Sequence, residues 1–274
     1  MNKVISIGNQ EFDKIRENDY FYVDKTGFIK EWWESGDDVT LITRPRRFGK
    51  TLNMDMLKCF FSNQYTGRAD LFEGLSIWKE EKYRELQGQY PVIFVSFADV
   101  KERDYESAVR KIKHILVDLY LQYEFLKKNF SESEQMRYRQ ISYNMDNVAA
   151  QDALKSLAAL LSSYYGKKAI ILLDEYDTPM QEAYIHGYWE EFTGFMRSLF
   201  NATFKTNPYL ERAVMTGITR VSKESLFSDL NNLRVVTTTS DAYRTCFGFT
   251  EKEVFTALDS YGKSGEKENV KKWY

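Results

Sequence analysis

The 274-residue chain is poor in the residue types that build metal centres, disulfide frameworks and flexible linkers. It contains two cysteines, two histidines and four prolines. Cys59 and Cys246 lie far apart and lack the spacing of a zinc site or a disulfide framework, which favours a reducing compartment. With only His114 and His186, a zinc site is not expected. The scarcity of proline leaves no Pro-rich linker, so one compact unit is favoured.

Long apolar runs and an excess of one charge are also missing. No apolar run exceeds five residues, and the first residues lack the apolar core of a signal peptide, so we expect a cytoplasmic protein without a membrane segment. The net charge is −2, which gives no global electrostatic case for binding nucleic acid. A composition with 43% hydrophobic and 28% charged residues is typical of a globular chain.

The most informative segment that is present covers residues 44–51, which read RPRRFGKT and follow the strand-like run 39–43. Its end matches the phosphate-binding loop G-x-x-x-x-G-K-[ST], in which backbone N–H groups surround the phosphates, the lysine reaches their oxygens and the hydroxyl binds Mg²⁺. Arg44 stands where the first glycine is usual. Because it precedes Pro45, it is driven toward an extended conformation, and the loop must enter its turn differently.

Gly49 keeps the position at which a side chain would obstruct close approach of the backbone to phosphates. The segment after it is predicted to be a helix whose first turn faces the anion. The candidate nucleotide-binding residues are Arg46, Arg47, Phe48, Gly49, Lys50 and Thr51. The arginines of this loop could contact phosphates. Alternatively, they are ordinary surface residues or bind carboxylates elsewhere in the fold.

A second pattern is the apolar run 169–173, which ends in Asp174 and Glu175. Such a run predicts a strand buried on both faces, and ligands of α/β sheets bind beyond the carboxyl ends of the strands. Asp174 would meet a Mg²⁺ held by Thr51, and Glu175 would deprotonate a water. The candidate metal ligands are therefore Thr51 and Asp174. In the alternative, both carboxylates cap the helix that begins near Thr178.

Predicted helices and apolar strands alternate along the chain, which indicates an α/β fold. The predicted helices cover 26–34, 50–62, 104–128, 147–165 and 188–205, and the predicted strands cover 39–43, 91–97, 169–173 and 210–216. At the end of the last strand, Thr216 or Thr219 would contact a γ-phosphate or the attacking water, and Arg220 would stabilise charge that develops on transfer. An ordinary turn with a solvated arginine fits equally well. The candidate catalytic residues are Glu175, Arg220 and Thr216.

Together these motifs resemble the bacterial and archaeal AAA-ATPase-like family, whose members typically join a P-loop ATPase domain to a C-terminal PD-(D/E)xK-type nuclease domain. The resembling motifs are YVDKT (22–26), TRPRRFGKT (43–51), YPVI (90–93), LDEYD (173–177), TGITR (216–220), FTEKEV (249–254) and KWY (272–274). Arg44 in place of the first glycine is what this family shows. The resemblance implies an additional-strand P-loop core with the sensor strand between the phosphate-loop and Asp-Glu strands.

We therefore expect residues 1–248 to form the P-loop domain and residues 249–274 a helical C-terminal extension, the start of a region that follows. Nothing in the sequence supplies the carboxylate and lysine pattern of a nuclease, so nuclease activity and nucleic-acid contact would belong to that region. The expected function is Mg²⁺-dependent binding and hydrolysis of ATP that gates or drives the C-terminal effector. The absence of a guanine-specific Asn-Lys-x-Asp run favours ATP over GTP. The alternative is a nucleotide-binding switch or protein-interaction module with little turnover.

Overall fold

The computed structural model describes residues 3–219 and 226–273. Within them the strands are β1 (Val39–Thr43), β2 (Val92–Ser96), β3 (Ala169–Asp174), β4 (Leu210–Gly217) and β5 (Leu233–Val236). The helices are α1 (Phe12–Glu17), α2 (Gly27–Ser35), α3 (Lys50–Phe61), α4 (Glu81–Arg84), α5 (Tyr105–Leu121), α6 (Glu132–Arg139), α7 (Asn147–Tyr165), α8 (Thr178–His186), α9 (Trp189–Phe200), α10 (Glu251–Ser260) and α11 (Lys267–Trp273).

The five strands form one parallel sheet in the order β2-β3-β4-β1-β5. Parallel neighbours need crossover connections, and helices supply these between β1 and β2, β2 and β3, and β3 and β4. β4 pairs with β1 on one side and with β3 on the other. The strand that ends at Gly217 therefore lies between the strand before the loop 44–49 and the strand that ends at Asp174, and their carboxyl ends share one edge of the sheet.

Both faces of the sheet are covered by helices. Ile171 and Leu173 of β3 belong to a core cluster that includes residues of α5, α7 and α9, whereas Ile170 and Leu172 belong to a second cluster with residues of α2 and α3. Successive residues of a strand point to opposite faces, so a strand buried on both sides must be apolar throughout. The structure thus confirms an α/β fold with a five-stranded parallel sheet, compatible with a P-loop NTPase-like domain.

Each of the four predicted strands and five predicted helices has a counterpart in the structure, whereas the short helices α1, α4 and α6 were not predicted. The strand predicted over 39–43 and the helix predicted over 147–165 have those bounds. Gly166 ends the helix with a φ of 67°, a left-handed conformation that glycine adopts without strain. The predicted strands do not include β5, a short edge strand in which the exposed Arg234 interrupts the apolar pattern.

The helix predicted over 104–128 is shorter in the structure. α5 ends at Leu121, and a 3₁₀ turn over Glu124–Asn129 follows it. Between them the buried Tyr123 donates a hydrogen bond from its hydroxyl to the Val92 carbonyl oxygen at 2.8 Å. This contact fixes the chain against β2 at the end of α5. Leu126, one of the apolar residues that suggested a longer helix, is buried from within the 3₁₀ turn instead.

The described part of the C-terminal segment is mainly helical. α10 begins with a capping box, in which Thr250 and Glu253 exchange side-chain to backbone hydrogen bonds. No helix among the described residues is long and apolar enough to span a bilayer. The domain boundary after residue 248 stays a prediction, and the ion pair of 2.7 Å between Lys25 Nζ and Glu253 Oε1 crosses it.

Candidate functional site

The loop between β1 and α3 has an exposed tip. Residues 45–49 are exposed, and Lys50, the first residue of α3, is buried. Arg47 and Gly49 have positive φ values of 67° and 76°. A Cβ added to Gly49 would meet no atom of the described residues within 4 Å, and this glycine has no side chain with which to cap α3. The first N–H groups of α3 therefore border open space, the arrangement that suits an anion.

The Lys50 ammonium group lies beneath this loop. The residue is 5% exposed, and its Nζ donates hydrogen bonds to the carbonyl oxygens of Arg44 and Pro45, both at 3.1 Å. The Lys50 ammonium group, which the sequence predicts to bind phosphate, is thus bonded to two neutral carbonyl groups of the loop. A phosphate oxygen would be a stronger acceptor for this donor, because hydrogen bonds between two charged groups are the stronger kind.

Arg44, which replaces the first glycine of the general loop, is buried rather than aimed at the loop tip. Its Nη1 donates to the Val236 carbonyl oxygen at 3.3 Å, and its guanidinium lies 5.4 Å from the centroid of the Phe247 ring. Burial lowers the pKa of Arg44 from its ordinary value. Arg44 therefore ties the start of the loop to the end of β5 through the Val236 carbonyl and also packs on the Phe247 ring, whereas Arg46 and Arg47 are exposed at the tip.

Asp174, at the end of β3, lies between two hydroxyl groups. Thr51 Oγ1 of α3 donates to Asp174 Oδ2 at 2.7 Å, and Thr216 Oγ1 of β4 donates to Asp174 Oδ1. Burial raises the pKa of Asp174, the two hydroxyls act in the opposite direction, and the charge of Glu175 adds to the rise. One buried carboxylate thus joins three elements, and these contacts are not those of a helix cap.

Glu175 lies in a different environment from its neighbour. Its side chain is partly exposed, and Oε2 accepts a hydrogen bond of 2.9 Å from Thr178 Oγ1 in the first turn of α8. This contact is with a side-chain hydroxyl and not with a backbone N–H group, and α8 has no side-chain cap, so the capping alternative does not describe Glu175 either. Its φ of 55° is unusual for a residue with a side chain and costs roughly 1–2 kcal/mol. Backbone strain of this kind persists where the surroundings enforce it, often at functional sites.

Asp177 is a further residue of this site, and the sequence predicts no role for it beyond its place in the motif LDEYD. It is fully buried, and its Oδ2 accepts hydrogen bonds from Ile218 N at 2.9 Å, Thr219 N at 2.8 Å and Thr219 Oγ1 at 3.0 Å. Its Oδ1 has no hydrogen-bond partner among the described residues. Asp177 therefore fixes the backbone that leaves β4 just after Thr216. The signal in the sequence was a third carboxylate in the motif.

Gly217, the last residue of β4, has no room for a side chain. A Cβ at this position would lie 2.6 Å from Asp177 Oδ1 and 2.6 Å from a ring carbon of Tyr176. The close approach of the two strand ends therefore depends on a glycine between Thr216 and the backbone that Asp177 holds. Arg220, the remaining candidate catalytic residue, lies outside the described residues.

The structure brings only some of the sequence-predicted residues into direct contact. The contacting set is Thr51, Asp174 and Thr216. Lys50 and Glu175 each adjoin a member of this set in the chain. The exposed tip of the loop carries Arg46, Arg47, Phe48 and Gly49. The ligand-binding and catalytic roles of all these residues stay predictions.

The chain is similar to known sequences over most of its length. Residues 6–227 match the model of a family described as "Predicted AAA-ATPase". Over 274 residues the chain is 29% identical to a protein of Azotobacter chroococcum mcd 1 described as "Uncharacterized protein in vnfD 5'region". This match covers 99% of the chain but 48% of the relative, so the chain spans about half of the relative's length.

The buried Asp174 carboxylate gives a prediction for stability. In a buffer without divalent cations at pH 7, Asp174→Asn should raise the midpoint of thermal unfolding by about 2–4 °C, the scale of about 1 kcal/mol in a chain of this size. The pKa of Asp174 is raised in the fold, so its favourable contribution is complete below the unfolded pKa and is lost as the pH rises through the folded pKa. The gain should shrink toward about pH 4. Asp118→Asn, on the exposed side of α5, is the control, and an undiminished gain at low pH would contradict the prediction.

The close approach at Gly217 gives a second prediction. Gly217→Ala should lower the free energy of unfolding by about 1–3 kcal/mol, because the added methyl group overpacks the space beside Asp177 and Tyr176. Urea denaturation measures this difference. Gly194→Ala is the matched control, since a Cβ at that exposed position of α9 meets no described atom within 4 Å and alanine favours a helix. Equal unfolding midpoints for the two variants would rule out the crowding at Gly217.

Proposed function

The chain belongs to the AAA-ATPase-like family, and from that premise we propose that it binds and hydrolyses ATP, with Mg²⁺, at the loop between β1 and α3. The observation that carries the proposal is the pair of hydrogen bonds from Thr51 and Thr216 to Asp174. These hydrogen bonds join α3 and the end of β4 to the carboxylate at the end of β3. Burying a charged carboxylate is costly, which supports a functional role for Asp174 at this position.

The loop is suited to the phosphates of a nucleotide. The uncapped first turn of α3 offers N–H groups and the positive end of the helix dipole. Gly49 leaves open space at the contact point. Lys50 is already beneath the loop, and a phosphate would take the place of the two loop carbonyls that now accept its hydrogen bonds. The exposed Arg46, Arg47 and Phe48 would border the ligand.

Thr51 and Asp174 fit Mg²⁺, because hydroxyl and carboxylate oxygens are the hard ligands that this ion prefers. Thr51 Oγ1 and Asp174 Oδ2 lie 2.7 Å apart, so both could face one ion after the hydroxyl turns its proton away. A cation would also offset the cost of keeping the Asp174 carboxylate charged in its buried position. When bound, Mg²⁺ would neutralise charge on the phosphate oxygens and orient them for transfer.

We assign the general base to Glu175. Its carboxylate is partly exposed, and Oε2 is held by Thr178, so the side chain has a defined direction at the edge of the sheet. Thr216 would orient Asp174, and its proposed contact with the γ-phosphate would need its hydroxyl to exchange partners. Arg220 keeps its proposed role of stabilising charge on the transferred group.

The strand order supports an additional-strand type of P-loop core. In such a core, a strand separates the phosphate-loop strand from the strand that carries the acidic pair, and β4 has this position between β1 and β3.

Specificity for ATP over GTP and a cytoplasmic location are part of the same proposal. The location is supported by the two cysteines, both free and buried.

We propose that hydrolysis gates or drives a C-terminal effector, nuclease-like as the family resemblance implies, through which nucleic acid would be bound. One observation favours the second candidate function, a nucleotide-binding interaction module with little turnover. Tyr184 and Ile185 of α8, the helix after Glu175, are 75% and 68% exposed, and such side chains suit a protein partner. Turnover by the purified chain separates the two functions.

The position of Lys50 predicts the behaviour of its variant. Lys50→Ala should weaken Mg²⁺-ATP binding by about tenfold to a hundredfold, because it deletes a charged donor to phosphate. Isothermal titration calorimetry measures the dissociation constants. Lys128→Ala, which removes an exposed lysine from the turn Glu124–Asn129, should bind ATP like the wild type. Identical affinities of the Lys50→Ala variant and the wild type would refute binding at this loop.

The assignment of Glu175 makes a separate prediction. Glu175→Gln should retain ATP binding and lose hydrolysis by a factor of about 10² to 10⁴, the usual scale for a missing general base. Phosphate release under single-turnover conditions measures the rate, and Glu190→Gln, on the exposed side of α9, is the control. If Glu175→Gln hydrolyses ATP at the wild-type rate, another group is the base. If wild type and variant are equally inactive, the interaction module is the better description.

A further inference from the structure

A segment outside the family-matched residues 6–227 packs against the candidate nucleotide loop. This segment, residues 245–253, connects the region after β5 to the first turn of α10, and we call it the strap. It contacts the loop tip, helix α3 and the residues before α2. Its contacts involve both backbone and side-chain groups.

The first contact is with the tip of the loop. Gly248 N donates a hydrogen bond to the Phe48 carbonyl oxygen at 3.0 Å. Gly248 has a φ of 69°, and a Cβ added to it would lie 3.0 Å from the Phe48 ring. The strap therefore holds the residue just before Gly49, at a position where a side chain would be strained by the positive φ and would crowd the Phe48 ring.

The second contact lies behind the loop. Asn53, on α3 and 3% exposed, donates from Nδ2 to the Cys246 carbonyl oxygen at 2.8 Å. Phe247 packs under the Arg44 guanidinium at the start of the loop. The strap thus holds the beginning of the loop, its last residues and the helix after it. A buried amide that donates to a strap carbonyl also makes this contact costly to break.

The third contact anchors the end of the strap. Lys25, 8% exposed, donates from Nζ to the Thr245 carbonyl oxygen at 2.7 Å and to the Glu253 carboxylate oxygens at 2.7 and 2.8 Å. Burial alone would raise the pKa of Glu253, but hydrogen bonds from Lys25 and Thr250 hold it below its usual value. One buried ammonium group therefore fastens both ends of the strap.

We propose that the strap is a positioning element of the nucleotide site, so that phosphate binding and strap docking stabilise each other. This inference rests on the proposed function. The loop tip is exposed and has two residues at positive φ, so ordering it costs conformational entropy. The strap holds Phe48, and a phosphate bound at the first turn of α3 would order the same loop residues. A docked strap therefore lowers the entropic cost of phosphate binding, and a bound phosphate lowers the cost of strap docking. By linkage, the two changes in free energy are equal in size.

Two glycines provide a matched test in the full chain. Gly248→Ala introduces a Cβ against Phe48, whereas Gly262→Ala carries the same backbone strain, at a φ of 67°, with no described atom within 4 Å. We expect Gly248→Ala to weaken ATP binding about fivefold to thirtyfold, within the usual range of coupling, and Gly262→Ala to leave it unchanged. Glu253→Gln, which loses the ion pair with Lys25 without a backbone change, should act in the same direction and serves if Gly248→Ala fails to fold.

The reciprocal effect is read from the two cysteines. Cys246 lies in the strap and is 4% exposed, and Cys59 in α3 is fully buried. Saturating Mg²⁺-ATP should slow alkylation of Cys246 by at least the factor by which Gly248→Ala weakens ATP binding, because a variant that undocks the strap only in part loses only part of the coupling. Peptide mass spectrometry follows both thiols, with Cys59 as the internal reference. Lys50→Ala, which is expected to bind ATP about tenfold to a hundredfold more weakly, should need a correspondingly higher ATP concentration for the same slowing.

The outcomes separate the two proposals. If the wild type binds ATP but Gly248→Ala and Glu253→Gln bind it equally well, or if the alkylation of Cys246 does not respond to ATP, the strap is only a structural contact and the ATPase proposal stands. If the wild type does not bind ATP, the proposed function fails and the inference fails with it. Slowing at Cys59 to the same extent as at Cys246 would indicate general stabilisation and would also overturn the inference.

Discussion

The burial of one carboxylate, Asp174, is the constraint on which the arrangement of the site depends. A charged oxygen at the end of a strand with both faces covered must find donors, and it finds them in Thr51 on α3 and Thr216 on β4. These donors can reach it only because β4 lies between β1 and β3, with Gly217 allowing the strand ends to approach. The sheet order and the hydrogen-bond pattern of the site thus require each other.

The backbone of the site carries strain at two residues that are not glycine. Arg47 has a φ of 67° in the loop, and Glu175 has a φ of 55° after β3. Such conformations cost roughly 1–2 kcal/mol each, and they persist when neighbouring contacts determine them. Here the neighbours are identifiable. The strap holds Phe48, one residue after Arg47, and Thr178 holds the side chain of Glu175.

The sequence predicted the parts of this molecule that depend on local pattern. A strand buried on both faces must be an apolar run, so β1 and β3 could be recognised, and the Gly-Lys-Thr sequence marked the start of α3. The anchoring of Arg44 could not be predicted, because its partner at Val236 lies 192 positions further along the chain. The strap was hidden for the same reason, since its contacts with Phe48 and Lys25 are set by the tertiary fold and not by a local pattern.

Among the described residues, two buried charged groups of the site, Lys50 and Asp174, bond to neutral partners and not to each other. Lys50 and Asp174 are both buried and close enough that the charge of Lys50 lowers the pKa of Asp174, yet the contacts described for them do not include an ion pair between the two. Lys50 bonds to neutral carbonyls, and Asp174 bonds to neutral hydroxyls. Two buried charges that are satisfied only by dipoles are held at a cost, compared with a direct pair. In the proposed function, a phosphate beside Lys50 together with a cation beside Asp174 would complement both charges at once, and this is the electrostatic reason for proposing a metal-bound nucleotide and not a free anion or a free cation.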